Sequence, residues 1–173
     1  PEDDGTLIQP SVYYTPSGNT VTGIAGKKDF TVIFIEKSLM NSQIGFVRKV
    51  LSVLEQYDIP VEHIPSGIDT MSVVIESAAL KNGKLELVLK GIKDAVAPDT
   101  LRVLEDIALI ATVGHGMSSS VGTSARLFKA MAAAEINVKM IDQGSSELNI
   151  IVGVNNSDCD NCIRAIYREF FGN

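Results

Sequence analysis

The chain has 173 residues, 45% of them hydrophobic, which is enough apolar material for one medium-sized core or two small ones. It carries 21 acidic and 15 basic residues, giving a net charge of −6, and no cluster of lysine and arginine suited to a phosphate backbone. Nucleic acid is therefore not an expected partner.

The apolar runs at 71–75 and 149–154 are far shorter than the roughly 20 residues needed to cross a bilayer, and no signal peptide opens the chain. We expect no membrane partner and a cytoplasmic location. The two cysteines are not needed as a disulfide in a chain with this much core. The start at Pro1, without an initiator methionine, indicates a fragment of a longer protein.

An internal repeat organises the sequence. A shift of 77 positions lays 29–75 over 106–152 without a gap, and nine positions are identical. The identical pairs are Asp29/Asp106, Ile33/Ile110, Met40/Met117, Ser42/Ser119, Gly45/Gly122, Ile59/Ile136, Val61/Val138, Ile64/Ile141 and Gly67/Gly144.

The first repeat, 29–105, opens with a β-branched run that predicts a buried strand at 30–35. Ser42 is placed as the N-cap of a helix of about four turns, since apolar residues then recur at helical spacing. The pattern continues with strands at 61–64 and 71–76 around a turn at Gly67, a helix around 84–93 and a strand at 101–105.

The second repeat, 106–173, has the same order: a strand at 107–113, a helix capped by Ser119, strands at 138–141 and 148–154, and a helix around 158–171. It ends without a final strand. We expect the segment 20–28, with its strand at 21–25, to complete this unit and to interlock the two repeats. The predicted fold class is α+β, with two ferredoxin-like βαββαβ units in tandem.

The turn at 38–46 is the first candidate site. Free backbone N–H groups at a helix start suit a carboxylate, and Gly45 lets a ligand approach the backbone closely. An ordinary helix start with a small residue needed for packing explains the same pattern, and the residues alone leave both interpretations open.

Two further motifs carry weaker signals. Gly114-His115-Gly116 lacks the third glycine and the acidic ribose contact of a nucleotide-binding loop. Cys159 and Cys162 form Cys-x-x-Cys, but flanking aspartates oppose a thiolate, and a metal would need two further ligands. We expect Cys162 to be packed and Cys159 exposed, with no catalytic residue and no metal site in the chain.

Several segments of the sequence resemble a known family. Segments "FTVIFIEKSLMNSQIGFVRKVL" and "IATVGHGMSSSVGTSARLFKAM" resemble the paired ACT modules of monofunctional aspartokinases, and Ser146 to Ile150 resembles a turn that generic ACT domains lack. Ahead of them, "GTLIQP" and "VTGIAGKKDF" resemble the exit from the aspartokinase catalytic domain, so 1–19 is interpreted as a remnant of that boundary.

The resemblance implies an allosteric region that mediates feedback inhibition of ATP-dependent aspartate phosphorylation. It implies an amino-acid effector, with lysine favoured over threonine, the chain's own kinase domain as a partner, and a homodimer. No phosphate-binding loop and no set of magnesium ligands is found in these residues, so ATP and Mg²⁺ would belong to a kinase domain outside the chain and no cofactor is expected here.

Site residues follow from the resemblance combined with the helix-start argument. Effector binding is predicted for Met40, Asn41, Ser42, Gln43, Ile44, Gly45, Phe46, Val47, Val61, Glu62, Ser66, Asp69 and Thr70. A secondary effector or interface role is predicted for Ser119, Ser120, Val121 and Gly122. Two other hypotheses stay open at this point: a free-standing ACT-type regulator of another partner, and a ferredoxin-like enzyme that uses the paired cysteines.

Overall fold

The computed structural model describes residues 20–172, with the side chain of Ser119 left aside, so the interpretation of 1–19 lies outside the described part. Two strands of 14 residues, β1 (Gly23–Glu36) and β3 (Thr100–Val113), pair antiparallel at the centre of the sheet. Strand β2 (Thr70–Glu76) flanks β1. On the other side, β5 (Asn149–Asn155) and then β4 (Met140–Asp142) complete the order β2-β1-β3-β5-β4.

Each long strand belongs to both repeats. Residues 23–27 of β1 pair with 109–113 of β3, whereas 32–36 pair with 100–104. The 77-residue shift exchanges the end pairs Gly23–Val113 and Thr100–Glu36, and the pair Phe30–Ile107 lies between them. The two halves of the sheet are therefore related by a local twofold axis that passes close to Phe30 and Ile107.

Four helices bury their apolar stripes against one face of the sheet, each repeat forming its own core. They are α1 (Phe46–Gln56), α2 (Lys84–Val96), α3 (Thr123–Ala133) and α4 (Cys159–Phe171). The first core includes Ile33, Val50 and Ile92, and the second includes Ile110 and Leu127, all inaccessible to solvent.

The opposite face of the curled sheet holds a third cluster around the local axis. Phe30, Val32, Val74, Ile107 and Leu109 are all buried there. At the rim, His63 Nδ1 lies 3.2 Å from a carboxylate oxygen of Asp142, which connects the segment after α1 to β4.

The α+β class with an antiparallel sheet is confirmed, but several local predictions were wrong. Helices α1 and α3 begin after Gly45 and Gly122, not after serine caps, because Ser42 and Ser119 belong to preceding 3-10 turns. Both helices have 11 residues, about three turns instead of four.

The strand predicted at 61–64 is also absent. The segment makes only isolated bridges to β2, through His63 and Ser66. Pro60 and Pro65 flank the predicted strand, and a proline has no amide hydrogen for a ladder bond, so pairing stays local.

Candidate functional site

The turn between β1 and α1 is built from unusual backbone conformations. Leu39 has φ 59° and precedes a 3-10 turn, Met40–Ser42. Gly45 has φ 77° and precedes the first helical residue, Phe46. A left-handed conformation carries no Cβ penalty at glycine but costs a residue such as leucine roughly 1–2 kcal/mol. The surrounding contacts must therefore hold this turn in place.

Free donors lie at the start of α1. The Phe46 N–H donates to the Gln43 carbonyl at 3.2 Å, and the Lys49 N–H donates to the Gly45 carbonyl at 2.9 Å. Among residues 20–172 the N–H groups of Val47 and Arg48 have no acceptor. A helix start with unsatisfied N–H groups favours a bound anion such as a carboxylate.

The two residues that carry these donors line a cavity of about 290 Å³. Its lining residues are Met40, Asn41, Gln43, Gly45, Phe46, Val47, Arg48, Ser66 and Gly67. The loop before β2 supplies the far wall through Ser66 and Gly67. The Asn41 N–H donates to the Ile68 carbonyl at 3.2 Å, which connects that loop to the turn.

Two lining residues are absent from the predicted set, Gly67 and the charged residue Arg48. Arg48 is the one that bears on ligand chemistry. Its exposed guanidinium has no ion-pair partner among the described residues. A cation in the first helical turn is opposed by the helix dipole, which favours acidic residues there. That mismatch is a signal that could have pointed to Arg48 as a partner for an anionic ligand.

The structure brings part of the predicted set together. Seven predicted residues line the cavity: Met40, Asn41, Gln43, Gly45, Phe46, Val47 and Ser66. Ser42 and Ile44 lie on the same turn but face solvent, and the Ile44 side chain is fully exposed. Thr70 closes the loop by accepting the Gly67 N–H at 2.7 Å.

Three other predicted residues lie outside this cavity. Val61 lines an adjacent groove along α1, which includes Leu51 and shares Val47 with the cavity. Glu62 is exposed, and its N–H donates to the Val74 carbonyl at 2.9 Å, near the opposite end of β2 from the cavity. Asp69 is exposed on the wall loop, where its carbonyl accepts the Lys37 N–H at 2.9 Å.

The corresponding turn of the second repeat has a similar backbone and different surroundings. Gly122 has φ 89° at the start of α3, and Val121 is fully exposed, as Ile44 is in the first repeat. The Ser120 hydroxyl lies 3.3 Å from that of Thr20. A cavity of about 250 Å³ nearby is lined by Thr22, Val113, Gly114, His115, Leu148 and Asn149, which include none of the predicted secondary residues.

The paired cysteines are both buried, so the expectation of an exposed Cys159 was wrong. Gly26 of β1 leaves room for the Cys159 sulfur, which lies 3.2 Å from the position that a Cβ on that glycine would occupy. Burial raises the pKa of Cys159, and it raises the pKa of Cys162 to about 12. These thiols are therefore poor nucleophiles at neutral pH.

Within residues 20–172, no group of three or more His, Cys, Asp and Glu side chains could hold a metal ion. In the same part of the chain, every helix is too short or too polar to span a membrane.

The comparisons with known proteins agree on one family. Residues 110–170 match the ACT domain family. Aspartokinase 3 of Bacillus subtilis is 40% identical over 151 residues, covering 87% of this chain and 33% of that protein. The aspartate kinase of Clostridium acetobutylicum, described as an allosteric enzyme, superposes with a TM-score of 0.83 and 48% identity over 87% of this chain and 34% of that one.

The regulatory subunit of aspartate kinase from Thermus thermophilus, in a ligand-free form, is matched over nearly its whole length. The match covers 87% of this chain and 99% of the Thermus chain, with 25% identity and a TM-score of 0.72.

Strands and helices alternate in the first repeat and follow the order βαββα in the second, around one antiparallel sheet. Together with this match, that arrangement defines a regulatory protein of the ACT class. More particularly, the chain belongs to the aspartokinase family, as its regulatory ACT region. It spans about a third of the length of the Bacillus and Clostridium relatives.

Proposed function

We propose that this chain binds an amino-acid effector in the first repeat and thereby controls an aspartate kinase activity carried elsewhere in the protein. That activity is the ATP-dependent phosphorylation of L-aspartate, which needs a phosphate cradle and magnesium ligands. The effector is L-lysine in preference to L-threonine. One observation carries the proposal: a cavity at the start of α1 is lined by Val47 and Arg48, the two residues whose N–H groups have no acceptor within 20–172.

The α-carboxylate binds at the helix start in this proposal. Two free N–H groups, the positive end of the helix dipole and the Arg48 guanidinium all favour a negative charge at that point. The volume of about 290 Å³ is just below the roughly 300–1,000 Å³ typical of sites for drug-sized ligands, as suits an amino acid.

The side-chain ammonium of lysine requires a carboxylate partner. The family resemblance favours Glu62, but that residue lies near the opposite end of β2 from the cavity. The partner in this proposal is therefore Asp69, which lies on the wall loop, with Glu62 as the second candidate. Leaving an ammonium unpaired in a partly closed pocket costs roughly 2–5 kcal/mol, so removing its partner weakens lysine binding at least about thirtyfold.

Isothermal titration of the chain with L-lysine and L-threonine tests this function. A dissociation constant between micromolar and millimolar, roughly −8 to −4 kcal/mol, is expected for lysine, with weaker binding of threonine. Glu62→Gln and Asp69→Asn distinguish the two carboxylates. If both variants bind lysine as tightly as the parent chain, the charge recognition is wrong, and tighter binding of threonine overturns the choice of effector.

Arg48→Gln tests the carboxylate end separately. The variant keeps most of the length of the side chain while removing its charge. We expect it to weaken lysine and threonine by similar factors, because both carry the same α-carboxylate. Lys49→Gln is the matched control, since Lys49 is exposed on the same helical turn and does not line the cavity.

A second copy of the chain is the proposed partner for the surface around the turn. Leu39, Ile44, Val47 and Ile68 expose between 41% and 100% of their area there, which concentrates large apolar side chains beside one site. A homodimer through this surface covers them, and the effector then binds close to the interface.

A further inference from the structure

Asp99 makes an unusually complete set of contacts for a surface carboxylate. It lies between the end of α2 and the start of β3. One carboxylate oxygen accepts the Ser38 N–H at 2.7 Å, and the other accepts a hydrogen bond from Lys37 Nζ at 3.1 Å. The Asp99 N–H in turn donates to the Glu36 carbonyl at 2.8 Å. These bonds attach the start of β3 to the point where β1 leaves the sheet.

The pKa of Asp99 agrees with this geometry. The hydrogen bond from the Ser38 backbone, with the further bond from Lys37, lowers the pKa of the carboxyl to about 2. The Asp99 side chain is therefore a carboxylate at neutral pH.

The bond to Ser38 acts where the turn is most strained. The next residue is Leu39, with φ 59° and a side chain that is 68% exposed, so packing does not hold it in that conformation. On the side of the wall loop the turn has two backbone bonds, from Lys37 to Asp69 and from Asn41 to Ile68. On the other side, the Asp99 carboxylate holds the Ser38 backbone, and Lys37 Nζ donates to Asp99 at 3.1 Å and to the Ala97 carbonyl at 2.8 Å. Asp99 is thus the contact on that side that binds the turn's backbone next to Leu39.

The second repeat lacks this carboxylate. Thr22 occupies the position 77 residues before Asp99, and its N–H donates to the Val113 carbonyl at 2.8 Å, as Asp99 does to Glu36. Its hydroxyl, however, also donates to Val113, at 3.3 Å. The carboxylate anchor is therefore a feature of the first turn, which is the turn with the proposed effector cavity.

We propose that Asp99 is a positioning residue for effector binding: it fixes residues 37–41 so that Met40 and Asn41 line the cavity beside the start of α1. Asp99 itself does not line the cavity and acts through the turn. The inference rests on the proposed function of that cavity. Because Asp99 directly precedes β3, it also joins the effector turn to the strand that runs into the second repeat.

Two substitutions separate the contacts. Asp99→Ala removes both bonds, whereas Asp99→Asn keeps an oxygen for the Ser38 N–H and loses the charge that faces Lys37. Asp160→Asn is the control. Like Asp99, Asp160 forms one ion pair with a lysine, at 3.0 Å from Lys28 Nζ, but it lies on α4 in the second repeat. All variants are compared with the parent 173-residue chain.

Lysine and threonine titrations below the unfolding temperature give the main readout. We expect Asp99→Ala to weaken the tighter-binding amino acid at least about tenfold, Asp99→Asn to recover affinity to within about threefold of the parent, and Asp160→Asn to leave it unchanged. Recovery by asparagine separates positioning from a general loss of stability. Parent-like affinity in folded Asp99→Ala overturns the inference.

Hydrogen exchange measured without ligand tests the positioning role of Asp99 independently of the proposed function. Amides 37–41 should exchange faster in Asp99→Ala than in the parent or in Asp160→Asn, whether or not an amino acid binds. If the parent binds neither lysine nor threonine, the proposed function fails. If exchange at 37–41 is unchanged in Asp99→Ala, the positioning role fails.

Discussion

Asp29 and Asp106, which the 77-residue repeat places at equivalent positions, both adopt positive φ and both accept a hydrogen bond from the same side chain. The Asn156 amide nitrogen lies 2.9 Å from the Asp29 carboxylate and 2.7 Å from that of Asp106. Its amide oxygen also accepts the Asp29 N–H at 3.1 Å. One asparagine therefore connects the two points at which β1 and β3 depart from regular pairing.

Asn156→Ala should lower the free energy of unfolding by about 1–2 kcal/mol. The substitution removes three hydrogen bonds, two of them to carboxylates, but the site is partly solvated, so water replaces part of the loss. Urea denaturation followed by circular dichroism measures the change. Ser157→Ala is the control, since its hydroxyl bonds only the adjacent Asp158, at 3.4 Å, and an equal effect of both variants would contradict the connecting role.

Gly45→Ala and Gly122→Ala form a matched pair across the repeat. Both glycines have positive φ, and neither added Cβ meets an atom closer than 3.8 Å, so each substitution should cost about 1 kcal/mol or more from backbone strain alone. Only Gly45→Ala is expected to weaken effector binding as well, because Gly45 lines the cavity of the first repeat.

Thermal denaturation and lysine titration of both variants check this difference. Equal loss of affinity in the two variants would show that binding follows overall stability and not the local shape of the first turn.

Apart from the strand expected at 61–64, the order of elements could be predicted from the repeat, because apolar periodicity distinguishes helices from strands without tertiary information. The continuity of β1 and β3 could not, since Asp29 and Asp106 are typical of turns and here interrupt the register without ending the strand. Within the site, Gly45 signalled the turn, whereas Glu62 could not be placed by sequence because its position depends on how 61–66 lies against β2.

Ile44→Ser should weaken self-association of the chain more than Val121→Ser does. Both side chains are fully exposed at equivalent turns, but only Ile44 is accompanied by Leu39, Val47 and Ile68 in one apolar surface. Multi-angle light scattering over a range of concentrations should show a dimer for the parent and a shift toward monomer for Ile44→Ser. A parent chain that stays monomeric at every concentration would remove the proposed interface.

Cys159 and Cys162 should react slowly with a thiol reagent at pH 8 while the chain is folded, and at the rate of a free thiol in urea. Burial raises both pKa values in the folded state, to about 12 for Cys162, above the usual value of about 8.5. The folded chain therefore keeps these protons at higher pH than the unfolded chain does.

This difference in pKa makes the stability of the folded chain fall at high pH. The contribution of Cys162 to stability is complete below about pH 8.5 and is lost progressively as the pH rises toward about 12. Urea midpoints measured from pH 7 to pH 10 should fall for the parent and fall less for Cys162→Ala, after allowance for its lower starting stability. Rapid labelling of the folded chain would contradict the burial of both thiols.

Thr112→Val should raise the free energy of unfolding, whereas Thr31→Val should lower it. Both threonines are almost completely buried, in β3 and β1 respectively. The Thr31 hydroxyl lies 2.8 Å from that of Ser77, whereas the Thr112 hydroxyl has no hydrogen-bond partner among residues 20–172. A buried hydroxyl without a partner costs about 1–3 kcal/mol, and valine has nearly the same shape without that cost. The repeat supports the choice, because the residue equivalent to Thr112 is Ile35, which is fully buried in the first core.

We expect a gain of about 1 kcal/mol for Thr112→Val and a loss of about 1 kcal/mol for Thr31→Val, which leaves Ser77 unpaired, both measured by urea denaturation at pH 7. A loss of stability in Thr112→Val as large as that in Thr31→Val would show that the Thr112 hydroxyl is satisfied in the folded protein.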